Sequence, residues 1–304
     1  SKCRNFMKRT ESLKKMECIW LLKSGWPFGR KNRKRIIMST TALKLENIHK
    51  SYGSHSVLKG VNMTVEKGNI YGLVGKNGAG KTSLFKLILG LSNFSEGKIT
   101  IADCGTDLNK GRRKIGFLIG GNFYGHLNAR DNLKYLCRIK HISNPKKEIE
   151  RVLKIVGLDK AKGPYSRYSM GMKQRLGIAN AILGNPEILI LDEPVNGLDP
   201  QGIADIRHLI HRLRDEFGMT IIVSSHILGE LQNTADVFGI VHEGKIVQEI
   251  SKADMNNSAN VVKISVNNLN KAQSLLEKGG VEILSSKQED MSLEDFYFNL
   301  VGGQ

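Results

Sequence analysis

At 304 residues the chain can build one large domain with a solid core, or two small ones. Its 46 Lys and Arg against 29 Asp and Glu give a formal net charge of +17, a balance that points toward nucleic acid or an anionic membrane. No segment approaches the ~20 consecutive apolar residues of a bilayer-spanning helix.

Residues 1–37 concentrate that charge: twelve Lys or Arg face two acidic residues, or +10, and the remaining +7 is unremarkable for a peripheral protein beside acidic lipid. This leader has no apolar core of ~7–15 residues, which excludes a secretory signal. Met38-Ser39-Thr40-Thr41 reads as a natural start, so the leader is expected to be a non-native or over-extended N-terminus. A solvated basic tail is one alternative; a membrane-touching anchor using Trp20, Trp26 and Phe28 is another. Cys3, Cys18, Cys104 and Cys137 are scattered and form no C-x-x-C pair, which fits a reducing cytosol and argues against zinc or a disulfide frame.

Alternation in Leu43-Lys44-Leu45-Glu46-Asn47-Ile48 and Val61-Asn62-Met63-Thr64-Val65 predicts two antiparallel strands, with Tyr52 between them. The apolar run Ile70-Tyr71-Gly72-Leu73-Val74 predicts a buried strand, and Lys81 to Leu89 a helix. Between them stands Gly75-Lys76-Asn77-Gly78-Ala79-Gly80-Lys81-Thr82, a G-x-x-x-x-G-K-[ST] phosphate loop in the strand–loop–helix context it needs. Small residues let backbone N–H groups wrap a polyphosphate, and the helix start adds partial positive charge. Lys81 is expected to reach the β- and γ-phosphates and Thr82 to hold Mg²⁺, with Gly75, Asn77, Gly78, Ala79, Gly80 and Ser83 completing the nucleotide cradle.

Lys114-Ile115-Gly116-Phe117-Leu118-Ile119 reads as a further strand. One helix is expected near Asn128, capped with Asp131, and another after Asn144-Pro145, carrying Ile149, Val152, Leu153 and Val156 and stopping at Gly157. Ser169 reads as the cap of a third, with Leu176, Ile178, Ala179 and Ile182 apolar and Gly184 closing it. Ile188-Leu189-Ile190-Leu191-Asp192-Glu193 is a buried strand ending in two acids beside the phosphate loop. Asp192 would hold the magnesium through its water shell, and Glu193 would act as general base on the attacking water. Asn196-Gly197-Leu198-Asp199-Pro200 leads into an amphipathic helix that ends at Gly218. The strand Thr220-Ile221-Ile222-Val223-Ser224-Ser225 then ends at His226, placed to point at the γ-phosphate. Residues 261–266 read as a strand, and Leu293, Phe296, Tyr297, Leu300 and Val301 as a helical core stripe.

Taken together, the phosphate loop, Tyr168-Ser169-Met170-Gly171-Met172-Lys173-Gln174, the Asp192-Glu193 strand, Asn196 to Asp199 and His226 resemble the ATP-binding cassette (ABC) ATPases over about residues 43 to 250. Tyr168-Ser169-Met170-Gly171-Met172-Lys173-Gln174-Arg175-Leu176-Gly177-Ile178-Ala179 looks most like the ATPase subunits of bacterial exporters for peptide antibiotics, the bacitracin and lantibiotic resistance group. The resemblance implies an α/β fold of the P-loop NTPase, ABC type. It comprises a mixed β-sheet core, an antiparallel β-subdomain, a helical subdomain inserted at about 121–184 and a small C-terminal α/β appendage. The ATPase domain would run over 42–252 and the appendage over 253–304, after the 1–37 leader.

The resemblance also implies the partners. Ser169 and the Gly171 backbone N–H would contact the γ-phosphate held by a second copy's Lys81 loop, with Asp199 at the same junction and Tyr52 stacked on adenine. The cofactors would be ATP and Mg²⁺, and the chain would work as a homodimer or with a paired ABC subunit. With no spanning segment and one phosphate loop, it would sit peripherally on the cytoplasmic face of the membrane, drive a separate permease, and need no nucleic acid.

Two departures from the family pattern stand out. Gly120-Gly121 occupies the place of a Gln or Glu that helps hold magnesium and relays nucleotide state; either a neighbour such as Asn122 substitutes or the coupling is altered. Met170 and Met172 stand where Gly and Gln are commoner. The alternatives are a soluble ABC ATPase acting in regulation or on nucleic acid, and a hydrolysis-impaired ATP switch motivated by Gly120.

Overall fold

The computed structural model describes residues 41–121, 123–257 and 268–280. The expectations for the leader, for Asn122, for the 261–266 strand and for the 293–301 stripe lie outside the described residues.

Strands β1 (Thr41–Tyr52) and β2 (His55–Glu66) pair antiparallel, and β4 (Glu96–Ile101) pairs with the other edge of β1. The alternation of Leu43 and Leu45 with polar neighbours buries one face only. A second sheet has the order β5-β6-β7-β3-β8-β9, from β5 (Ile115–Leu118), β6 (Ile188–Asp192), β7 (Thr220–Ser225), β3 (Ile70–Val74), β8 (Val237–His242) and β9 (Lys245–Ser251). All its pairings are parallel except β8 with β9. Its central strands read as unbroken apolar runs because both faces are covered. Ile190, Ile222, Tyr71 and Leu73 face one core, shared with Leu43, Leu45 and helix α1 (Lys81–Ile88) through Phe85 and Ile88. Leu189, Leu191, Ile221 and Val223 face the other.

That other core is completed by helices α3 (Ala129–Ile139), α4 (Pro145–Ile155), α5 (Met170–Ala181) and α6 (Pro200–Phe217). The starts of α3, α4 and α5 follow the positions expected from the sequence, and α6 has a further cap at Asp199. Asn128 accepts from the Asp131 N–H at 2.9 Å, Asn144 from Lys147 at 3.3 Å, Ser169 from Met172 at 3.3 Å and Asp199 from Gly202 at 3.1 Å. Such a side chain satisfies a helix-start donor that would otherwise lack a partner. Helix α6 stops where Gly218 turns left-handed at φ 65°. Shorter helices are α2 (Leu108–Arg112), α7 (Leu228–Gln232) and α8 (Lys252–Asn257), followed by α9 (Leu269–Lys278).

Helix α5 ends earlier than Gly184, at Ala181, because its last turn tightens: the Leu183 N–H reaches the Asn180 carbonyl at 3.3 Å. Gly184 lies in the following turn and donates to Glu148 Oε1 at 2.8 Å. Arg151 grips the same carboxylate at 2.9 and 2.7 Å and holds it below the usual carboxylate range. Strands β4 and β9 carry too little apolar alternation to be read from the sequence; the first half of β4 is exposed, and β9 is a polar sheet edge.

Helix α5 rests directly on β5. A Cβ at Gly177 would lie 2.6 Å from Leu118, and one at Gly116 would collide with the Ala181 carbonyl of the helix backbone. Backbone cannot swing aside as a long side chain can. Gly116→Ala is therefore expected to lower stability by about 1–3 kcal/mol, read as a lower urea midpoint with an unchanged slope; an unaltered midpoint would mean that this contact does not fix the helix.

Candidate functional site

The phosphate loop follows β3, whose sheet neighbours are β7 and β8. Gly78 (φ 82°) and Gly80 (φ 109°) take backbone conformations that side chains resist. A Cβ on Gly75 would sit 2.6 Å from the Val241 carbonyl. Ala79 donates to the Lys76 carbonyl at 3.1 Å and closes the turn. The amides of Gly78, Gly80, Lys81 and Thr82 find no acceptor among the described residues. Those donors, at the start of a helix whose first turn includes Ser83, form a cradle for an anion. Asn77 lies within the loop, exposed.

Lys81 is 95% shielded, yet its ammonium is well paired: it donates to the Gly75 and Lys76 carbonyls at 2.6 and 3.3 Å and lies 3.5 Å from Glu193 Oε1. Thr82 Oγ1 donates to Asp192 Oδ2 at 2.7 Å. Glu193 follows in a left-handed conformation (φ 48°), a strained geometry for a residue with a side chain. Its other oxygen, Oε2, lies 3.0 Å from His226 Nδ1 and accepts weakly from Asn196 at 3.4 Å. The structure thus brings Lys81, Thr82, Asp192, Glu193 and His226 into one cluster at the carboxyl ends of β3, β6 and β7.

Ser169 and Asp199 cap their own helices, and the segments that carry them approach each other. A Cβ on Gly171 would lie 4.0 Å from Leu198, and one on Gly197 3.8 Å from Met170. Tyr52 is half-exposed on the hairpin, with the Lys50 ammonium 4.7 Å from its ring centre. Gly120 turns left-handed (φ 62°) into open space. Sequence reasoning passed over Ser224, which donates to Asp192 Oδ1 at 2.7 Å and accepts from the Glu193 N–H at 2.9 Å. It also missed Glu230, which accepts from Ser225 Oγ at 2.6 Å. The only available signal was a pair of serines ending an otherwise apolar strand.

These residues suit a magnesium nucleotide. Free amides and a buried lysine match polyphosphate charge, and a hydroxyl beside a carboxylate supplies hard oxygen ligands. Among the described residues, no group of three His, Cys, Asp or Glu could hold a metal by itself. Mg²⁺ takes one or two protein oxygens and completes its shell with substrate phosphates and water.

Fold and cluster together define a P-loop ATPase cassette. Residues 58–196 match the family model described as ABC transporter. The bacitracin transport ATP-binding protein BcrA of Bacillus licheniformis is 37% identical, with 87% of this chain and 98% of that protein aligned. The lantibiotic transport ATP-binding protein SrtF of Streptococcus pyogenes is 44% identical over 68% of this chain and 90% of its own length. A dimeric ATP-binding cassette in a post-hydrolysis state bound to ADP and Pi superposes with a TM-score of 0.62 at 28% identity, covering 69% of this chain and all but 2% of its own. The chain belongs to the ABC transporter ATP-binding protein family. It is an ATP-binding and ATP-hydrolysing transporter subunit.

Removing the lysine tests the cradle. At nucleotide concentrations near 100 times the dissociation constant, a bound ligand adds about 2.7 kcal/mol to stability. Wild-type protein should gain that much from Mg-ATP in a thermal melt, and Lys81→Ala should gain nothing; equal gains would remove Lys81 from the binding site.

Proposed function

We propose that this subunit powers export of a peptide antibiotic through a separate permease, as a homodimer or with a paired ABC subunit, on the cytoplasmic face of the membrane. The observation that carries this reading is the contact set joining Lys81, Thr82, Asp192, Glu193 and His226, because it places a cation, two acids and an imidazole around a single anion cradle. Thr82 and Asp192 would hold Mg²⁺, which neutralises developing phosphate charge when bound. Glu193 takes the proton of the attacking water, and His226 steadies the carboxylate beside the γ-phosphate. Gly75, Asn77, Gly78, Ala79, Gly80 and Ser83 wrap the phosphates, and Tyr52 stacks on adenine.

The second half of the site comes from the partner copy. Ser169, Gly171 and Asp199 share one surface because Met170 and Gly171 abut Gly197 and Leu198. Presented together, they would close on the partner's nucleotide. The dimeric neighbour bound to ADP and Pi supports this arrangement, and the names of the bacitracin and lantibiotic transport proteins support the cargo class.

The permease would dock beside Gly120-Gly121. There Phe123, Tyr124, Asn132, Tyr135 and Leu136 line a recess of about 240 Å³. Tyr124 and Tyr135 are exposed and meet edge to face at 5.2 Å, and a hydrogen bond with Tyr135 holds the Tyr124 phenol above its ordinary range. An aromatic pair with polar tips is suited to a protein partner.

Two experiments test this. Glu193→Gln should bind Mg-ATP while turnover falls by about 10²–10⁴-fold, the usual worth of a general base. It should double in mass by light scattering with ATP, and a persistent monomer would count against the shared site. Tyr135→Asp should release the subunit from membranes of its source cell in a flotation assay while ATP turnover in solution persists. Undiminished membrane recovery would move the docking face elsewhere.

A further inference from the structure

Strand β7 lies between the phosphate-loop strand β3 and the acid-bearing strand β6, and its register puts Ser224 directly opposite Asp192. Ser224 is completely buried. Its hydroxyl proton goes to Asp192 Oδ1 at 2.7 Å, and its oxygen accepts the Glu193 N–H at 2.9 Å. The other oxygen of Asp192 is held by Thr82, from the helix that follows the phosphate loop. One hydroxyl therefore locks the orientation of the first acid and the backbone of the second. Glu193 needs that lock most, because its φ of 48° is a conformation that the surroundings must enforce. Two residues further along, His226 reaches the Glu193 carboxylate, so the end of β7 holds Glu193 at both its amide and its side chain.

We propose that Ser224 is a positioning residue for ATP hydrolysis, holding Asp192 toward the magnesium and Glu193 toward the attacking water through one shared hydroxyl. This rests on the proposed roles of Asp192 and Glu193. Without the hydroxyl, Asp192 Oδ1 loses its donor and the Glu193 amide its acceptor, at a position where Ser224 itself is fully buried. Both acids then gain freedom at the same moment, and the carboxylate spends less time where the water must be met. Affinity for the metal-free nucleotide, carried by the loop amides and Lys81, is untouched, and only the metal ion is held less tightly. A serine that only filled space would leave turnover unchanged.

The test compares Ser224→Ala and Ser224→Thr with wild-type protein and with Glu193→Gln. Ser224→Ala should lose about 10- to 100-fold in kcat, the range for removal of a group that orients a ligand residue, with the KM for ATP within threefold of wild type. Electron paramagnetic resonance of Mn²⁺ bound with a non-hydrolysable ATP analogue gives a second readout, independent of turnover: Ser224→Ala should weaken Mn²⁺ binding, and Ser224→Thr, which keeps the hydroxyl, should restore both quantities. A wild-type kcat and wild-type Mn²⁺ affinity in a folded Ser224→Ala protein would overturn the proposal, even if its melting temperature fell. If the alanine variant failed to fold, Ser224→Cys should lose kcat and Mn²⁺ affinity while Ser224→Thr keeps both. Wild-type kinetics in both Ser224→Thr and Ser224→Cys would then overturn it, since a thiol cannot reproduce the two short bonds. Wild-type protein that fails to hydrolyse ATP would instead overturn the underlying roles of Asp192 and Glu193, which separates the two failures.

Discussion

The structure depends on three parallel strands, β3, β7 and β6, that end side by side. Parallel pairing carries the register from Val74 opposite Ser225 to Ser224 opposite Asp192. Each strand therefore delivers its terminal polar residues to the same edge: a phosphate loop from one, a serine pair and a histidine from the second, two acids from the third. Apolar residues on both faces of these strands lock the alignment. A slip of one position would send Ile190 and Ile222 to the opposite core and withdraw the acids from the lysine.

Within that edge the charges satisfy one another. Lys81 is held by two carbonyls of its own loop and by Glu193, and Asp192 by two hydroxyls. A buried ammonium without such partners would cost several kcal/mol. The arrangement also sets what a triphosphate must do on entry. On the proposed reading it must offer Lys81 better acceptors than two carbonyls and a carboxylate, and a dianionic terminal phosphate would do so. Release of Glu193 from the lysine would then free that carboxylate for water, while the Ser224 contact keeps its backbone in place. On the proposed reading, the ground-state pairing and the reactive one use the same backbone, so little reorganisation accompanies the chemical step.

How much of this was legible depends on what physics demands of each residue. The phosphate loop was readable because its backbone accepts almost nothing but glycine where φ is 82° or 109°. Asp192 and Glu193 were readable because the apolar run they close follows a phosphate loop in the sequence. The helix starts at Asn128, Asn144 and Ser169 were readable because few side chains can accept from a helix start, whereas the cap at Asp199 emerged only from the structure. Ser224 was not: a serine in a strand is ordinary, and its value arises only when register places it opposite Asp192. Strands β4 and β9 escaped because edge strands need no apolar alternation. The aromatic recess escaped because Phe123, Tyr124 and Tyr135 come together only when the loop after β5 folds onto α3. Gly120 was visible as a departure from the family pattern, and the structure adds that its φ of 62° is a conformation in which a Gln or Glu would be strained.

The surface carrying Ser169 and Asp199 poses a last physical question, because both residues are already engaged as caps. Their use of oxygen differs. Ser169 accepts from Met172 with a lone pair at 3.3 Å, which leaves its hydroxyl proton available. Asp199 has only acceptors and gives Oδ1 to Gly202 at 3.1 Å. A phosphate takes donors, so in the proposed dimer the serine can cap its own helix and donate to the partner's nucleotide at once, while the aspartate suits a donor from the opposing protein chain. Capping fixes the serine's orientation before any partner arrives, so the entropy of placing that hydroxyl is already spent within the monomer. The same bond that starts helix α5 thus prepares it to meet a second molecule. Its packing through Gly116 and Gly177 on β5 links that readiness to the sheet that holds the acids.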